Sequence, residues 1–175
     1  TSAPSPLDFY NVFKLYVEAG FDVIYIGLSS KVSTTVQNAK MAAEHIGNKV
    51  KVIDSLNLCV GTAALIKHAY NYIKSGLSSD DVVKELENIV PDYKLFFTVE
   101  TLDYLHMGGR CSSTDAIFGN MLNIKPIISM SVDGLNVWTK TRGKKKAINM
   151  MIEEVLKDKD RILLDEVHIG YTVGN

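Results

Sequence analysis

The sequence predicts a two-part α/β protein: an N-terminal parallel β-α-β unit followed by a C-terminal α/β subdomain. Three observations carry that expectation. Phe21–Gly27 and Val50–Asp54 are short, nearly continuous runs of β-branched, aromatic and other apolar residues, as strands covered on both faces require. Apolar residues between and after them recur at helical spacing, and strands joined through a helix pair in parallel. Beyond Pro91 the pattern changes to strand-like stretches that include a hairpin turning at Asp133-Gly134. The division is placed after residue 85, giving units 1–85 and 86–175.

The elements follow in order. Ser5, Pro6 and Asp8 make a helix start, with proline at the first helical position and a carboxylate in the first turn; that helix runs to Gly20. The strand 21–27 leads into a hydroxyl-rich loop, Ser29–Ser33, and then a helix over Val36–Ile46 that stops at Gly47. Thr34 and Gln37 read as a capping box for it. The strand Val50–Asp54 precedes a helix from about Gly61 to Ser75, and Ser78-Ser79-Asp80-Asp81 starts another that ends near Pro91. Lys94–Val99 is strand-like, Leu102–Gly119 holds short helices, Ala147–Leu156 is a final helix, and Arg161–Val173 reads as a strand.

Composition narrows the function. A chain of 175 residues with 46% hydrophobic content can bury a core. A net charge of −1 argues against sequence-independent binding to nucleic acid. No apolar run approaches the ~20 residues needed to span a bilayer, so no integral membrane insertion is expected. Cys59 and Cys111 lack Cys-x-x-Cys spacing, and reduced thiols in a cytoplasm are the expectation. The local charge excess is Lys140, Arg142, Lys144, Lys145 and Lys146. Cations at a helix start oppose the macrodipole and point to some compensating use, such as a protein or phosphate partner.

Gly108-Gly109-Arg110 is a polar corner between short helical patterns. Paired glycines admit close approach of backbone or ligand, and the guanidinium is a rigid fork of donors suited to an anion. The structural alternative is a helix end, with the Arg110 stem packed on the surface.

Other junctions turn this corner into a pattern: TSAPSP at the start, SSKVSTTVQNA, VIDS, LHMGGRCS, AIFGNMLNIKPII, the Asp133-Gly134 turn and KTRGKKKA. In order and separation they resemble the DegV family, whose characterised members are bacterial fatty-acid-binding proteins that present a bound acyl chain to a fatty acid kinase. The departures are local. Thr34 and Ala63 stand where the family usually has glycine, and Met107 where it often has lysine. Against the family, both ends of the chain look cut, and a strand-helix unit looks missing between about Lys157 and Arg161.

The resemblance implies a carrier that supplies no catalytic group and needs no cofactor or metal, with a ligand tunnel between the subdomains. Thr1 and Ser33 would hydrogen-bond the carboxylate, with Arg110 close by. Ser29, Ser55, Gly108 and Gly109 would complete the ligand-binding set. Ile117, Phe118, Met121, Leu122 and Ile124 are the candidate tunnel lining; ordinary core is the alternative for each. Arg142, Lys144 and Lys145 are the candidate kinase-facing patch. The reading from the residues agrees in one respect: open parallel sheets bind ligands beyond the carboxyl ends of their strands, where Ser29–Ser33 and Asp54-Ser55 lie. A helix cap is the structural alternative for Ser33.

Rival functions find less in the residues. Thr1 as a terminal nucleophile is disfavoured by Pro4 and Pro6, which prevent a regular strand behind it. Gly27-Leu28-Ser29-Ser30-Lys31 has lysine where a nucleophile elbow needs glycine. There is no G-x-G-x-x-G and no P-loop, and His45, His68, His106 and His168 lack metal-ligand spacing. The serious rival is a lipid-binding sensor or reservoir that works without a kinase.

Overall fold

The computed structural model describes residues 2–111, 124–161 and 167–172. It divides into two compact units, Thr1–Tyr93 and Lys94–Asn175.

The first unit has three layers. Strands β1 (Val23–Gly27) and β2 (Val50–Asp54) pair in parallel, Val23 with Val50 through Gly27 with Asp54. Helices α1 (Pro6–Glu18) and α2 (Thr35–Ile46) pack with one face, and α3 (Cys59–Lys74) and α4 (Ser79–Ile89) with the other. This explains the continuous apolar runs. Val23, Tyr25, Val50 and Val52 join the cluster of Phe9, Phe13, Ala39 and Ala42, whereas Ile24, Ile26 and Ile53 join Leu65, Ala69, Val82, Leu86 and Val90. Strand side chains alternate between faces, so a strand with two covered faces needs apolar residues at successive positions. Tyr25 sits edge-on to Phe9 with ring centroids 5.1 Å apart, and burial raises its phenol above the ordinary tyrosine range.

The helix starts follow from local chemistry. Ser5 and Asp8 form a reciprocal capping box on α1, and Pro6 occupies its first turn. The hydrogen bonds from Ser5 hold the Asp8 carboxyl below its usual range. Ser78 caps α4 by accepting the Asp81 N–H at 3.2 Å. Ser79 Oγ donates to Asp22 at 2.8 Å, and Lys51 pairs with Asp80 at 2.5 Å, tying α4 to the sheet. These contacts explain why the unit extends through α4 to Tyr93 rather than ending at residue 85.

The expected capping box on α2 is absent. Thr34 is the N-cap residue but makes no side-chain cap hydrogen bond. Ser33 acts in its place, its Oγ accepting the Thr35 N–H at 3.2 Å. Helix α3 begins at Cys59, earlier than the periodicity placed it.

The second unit carries an antiparallel sheet in the order β3 (Leu95–Thr98), β4 (Ile124–Ser131), β5 (Gly134–Arg142). The predicted hairpin joins β4 and β5: Ser131 pairs with Gly134 across a two-residue loop, and Gly134 takes φ +99°. A bulge at Ile127/Ile128 leaves Trp138 as the extra residue of β5, and its ring meets Phe96 edge-on at 5.3 Å. Pro126, which has no N–H to give a neighbour, lies just past the β3 ladder, and its carbonyl accepts Thr98 Oγ1 at 2.7 Å.

Helix α5 (Asp103–Met107) follows β3, and α6 (Lys144–Lys157) follows β5 with Ala147 fully buried. The expected strand at 161–173 is not formed over 167–172, which has no regular structure and is exposed. Val167, Ile169 and Tyr171 alternate as a strand would, but a strand also needs a neighbour to pair with.

Candidate functional site

The strongest constellation lies at the carboxyl ends of β1 and β2. The parallel register brings Gly27 and Asp54 level, so the two following loops leave the sheet side by side. They remain bonded to each other. Ser55 N–H donates to Gly27 O at 3.1 Å and Ser29 N–H to Asn57 O at 2.8 Å. The Asp54 carboxylate accepts Ser30 N–H at 3.2 Å and Leu56 N–H at 3.0 Å, one from each loop. Gly27 lets α2 pack close over the end of β1: a Cβ there would meet Val36 Cγ2 at 2.5 Å.

The predicted serines occupy different settings. Ser29 is fully buried, with Oγ accepting Lys31 N–H at 3.1 Å. Ser55 is also fully buried; its Oγ donates to Asn57 O at 3.1 Å, accepts Asn57 N–H at 3.2 Å and lies 3.0 Å from Thr62 Oγ1. Both hydroxyls are turned into the loops they shape. Ser33 is half-buried, with its Oγ 2.7 Å from Thr35 Oγ1 at the start of α2. Of the three, it is the one whose residue keeps exposed surface where a helix dipole and first-turn N–H groups favour an anion.

The N-terminal segment joins this region through Asn38 of α2, whose Nδ2 donates to Pro4 O at 2.7 Å. That bond holds the run before α1 beside the first turns of α2. Thr1 itself lies outside the described residues.

Asn38 and Asn57 are functional candidates that the sequence reading passed over. For Asn57 the available signal was an asparagine in a short strand-to-helix loop just before Gly61. Leu56 and Cys59, on either side of it, both take φ +47°. Leucine carries no sequence signal for that conformation, which non-glycine residues rarely adopt.

In the second unit, Gly108-Gly109-Arg110 terminates α5 as a Schellman motif. Arg110 N–H reaches Leu105 O at 2.8 Å and Gly109 N–H reaches His106 O at 2.8 Å, with Gly109 at φ +73°. The Arg110 guanidinium donates to Gly108 O, and all three residues are exposed. Ile124 is half-buried at the start of β4. Ile117, Phe118, Met121 and Leu122 lie outside the described residues.

Arg142 ends β5, and Lys144, Lys145 and Lys146 form the first turn of α6; all four are exposed. The helix has no side-chain cap, and its N-cap Gly143 takes φ +84°. An ion pair with Lys125, helped by the more distant Lys144, holds the Glu100 carboxyl below its ordinary range. Among the described residues no cluster of three potential metal ligands occurs, and no helix is long and apolar enough to cross a membrane. Cys59 is exposed and Cys111 half-buried, and neither is in a disulfide.

Known proteins share both sequence and architecture with this chain. The family profile DegV, described as an uncharacterised protein family, matches residues 1–174. A DegV domain-containing protein of Clostridium acetobutylicum is 37% identical over 161 residues, covering 90% of this chain and 57% of that protein. A Thermus thermophilus structure, titled for fatty acid binding of a DegV family protein, superposes with a TM-score of 0.80 at 30% identity, covering 89% of this chain and 56% of the other. The Streptococcus pneumoniae fatty acid kinase B3 protein, loaded with linoleic acid, gives a TM-score of 0.78 at 26% identity over 89% of this chain and 56% of that one. The chain thus spans about half the length of the relatives it matches.

Proposed function

The chain belongs to the DegV family, and from that premise we propose that it binds a long-chain fatty acid and presents it to a fatty acid kinase. The observation that carries the reading is the paired-loop site at the ends of β1 and β2, where the half-buried Ser33 hydroxyl stands at the start of α2. A carboxylate taken out of water needs donors, because a buried charge without partners costs several kcal/mol. Ser33 and Thr1 would supply hydroxyls, and the first turn of α2 adds its dipole. Ser29 and Ser55 would act by shaping the loops, with Arg110, Gly108 and Gly109 fixing the head group. The acyl chain would lie in an apolar tunnel lined by Ile117, Phe118, Met121, Leu122 and Ile124. At about 0.8 kcal/mol per methylene, a long chain gains roughly 12 kcal/mol before ordering costs, enough to hold it through purification.

In this reading the protein is a carrier rather than an enzyme. The kinase brings nucleotide and metal, and the product is an acyl phosphate. Cys59 and Cys111 without a disulfide suit a cytoplasmic setting. Arg142, Lys144 and Lys145 form the kinase-facing patch, their charge unmatched by the helix dipole and available to a partner's acidic groups. Replacing Arg142 with glutamate is expected to lower kcat/KM for phosphorylation of the bound lipid about tenfold by weakening encounter. Lipid content per protein should stay the same. Kinase assays beside lipid quantification check this, and parallel loss of both would reject the patch.

A further inference from the structure

Asn57 is 1% exposed, in a loop whose neighbours Leu56 and Cys59 are held in a conformation unfavourable for side chains. A buried carboxamide persists only when its polar atoms are paired, and here both are. Its Oδ1 accepts Leu58 N–H at 3.2 Å and its Nδ2 donates to Tyr93 O at 3.3 Å. The Asn57 main chain meanwhile gives its N–H to Ser55 Oγ at 3.2 Å and receives Ser29 N–H at 2.8 Å and Ser55 Oγ at 3.1 Å. Room for the side chain comes from the first turn of α3: a Cβ on Gly61 would stand 2.0 Å from Asn57 Oδ1 and 2.5 Å from its Cγ.

These bonds lead to the hydroxyl assigned to the ligand. Asn57 O holds Ser29 N–H, and Ser29 O accepts Ser33 N–H at 3.2 Å. Two hydrogen bonds therefore connect a clamped loop on β2 to the half-buried Ser33 on the loop after β1. We infer that Asn57, seated against Gly61, is a positioning residue that sets where the Ser33 hydroxyl meets a carboxylate. It touches no ligand atom itself, and its side chain fixes the carbonyl that anchors the neighbouring loop. The inference rests on the proposed carboxylate site and adds to it a determinant of head-group selectivity.

The test compares palmitate with 1-hexadecanol, which shares the alkyl chain but lacks the carboxylate, in the intact protein and in Asn57→Ala, Gly61→Ala and the double variant. Both single variants are expected to lose about tenfold of the preference for acid over alcohol, as follows from weakening one hydrogen bond to a charged group. Hexadecanol affinity should stay within about twofold. The double variant should be no worse than Asn57→Ala, because removing the carboxamide makes room for the methyl group. The double variant keeps the test open if either single variant fails to fold, since without the carboxamide the Gly61 methyl keeps only the 3.2 Å contact with the Cβ of residue 57. Retained acid preference in a folded single variant, or equal loss for both ligands, would overturn the inference while leaving the carboxylate site intact. A wild-type protein with no preference for the acid would overturn both.

Discussion

Replacing Ser33 with alanine is expected to weaken long-chain fatty acid binding by about 10- to 100-fold, the effect of losing a hydrogen bond to a charged group worth roughly 1.5–3 kcal/mol. The same oxygen accepts the Thr35 N–H at 3.2 Å, so a second and smaller effect accompanies the first. Losing that cap should cost about 1 kcal/mol of stability. Ser33→Thr keeps a hydroxyl at the same place and should recover most of the affinity. Titration with a fluorescent fatty acid beside a thermal melt separates the two effects. A lower melting temperature with unchanged affinity would show that Ser33 serves only as the cap of α2.

The largest expected stability effect lies in the layer beneath the site. Leu65 is fully buried and packs with Ile53, Ala69, Val82, Leu86 and Val90 between β2 and the two helices on that face. Truncation to alanine removes buried methylenes from a layer joined on all sides, so the cavity can collapse only partly. The expected cost is about 2–5 kcal/mol. Against a typical total of roughly 5–15 kcal/mol, that is enough to shift the denaturation midpoint strongly. Urea denaturation followed by circular dichroism checks it, and a loss below about 1 kcal/mol would mean that the layer relaxes around the gap.

Much of the first unit was legible because two covered faces leave a strong trace. Val50–Asp54 appears as a strand at its predicted bounds, and Ser5 and Ser78 cap the helices they were expected to start. Side-chain oxygens compete for the same donor over one or two residues, and that competition is not visible in the order of letters. Ser33 therefore caps α2 although Thr34 and Gln37 match the capping-box pattern. The early start of α3 was hidden for a different reason. It depends on left-handed backbone at Leu56 and Cys59, stabilised by Asn57 contacts that reach Ser29 and Tyr93 far along the chain.

The second unit was less legible. Gly108 and Gly109 could serve a ligand or a helix end; the Schellman bonds account for their backbone in α5, and the proposed head-group role of Arg110 stands beside that. The Lys144–Lys146 run was seen as anomalous charge at a helix start, and α6 begins there without a side-chain cap. The strand expected over Arg161–Val173 is not formed over 167–172, because strand formation depends on a neighbour that local pattern does not supply, and 162–166 and 173 lie outside the described residues.

The central claim, that this protein carries a long-chain fatty acid, is tested most directly by denaturing the purified protein, extracting it with organic solvent and identifying the extract by mass spectrometry. A long-chain fatty acid is expected at about one molecule per protein, retained by the free energy of burying its methylenes. A folded, intact protein whose extract holds no fatty acid, and which takes none up when offered, would contradict it.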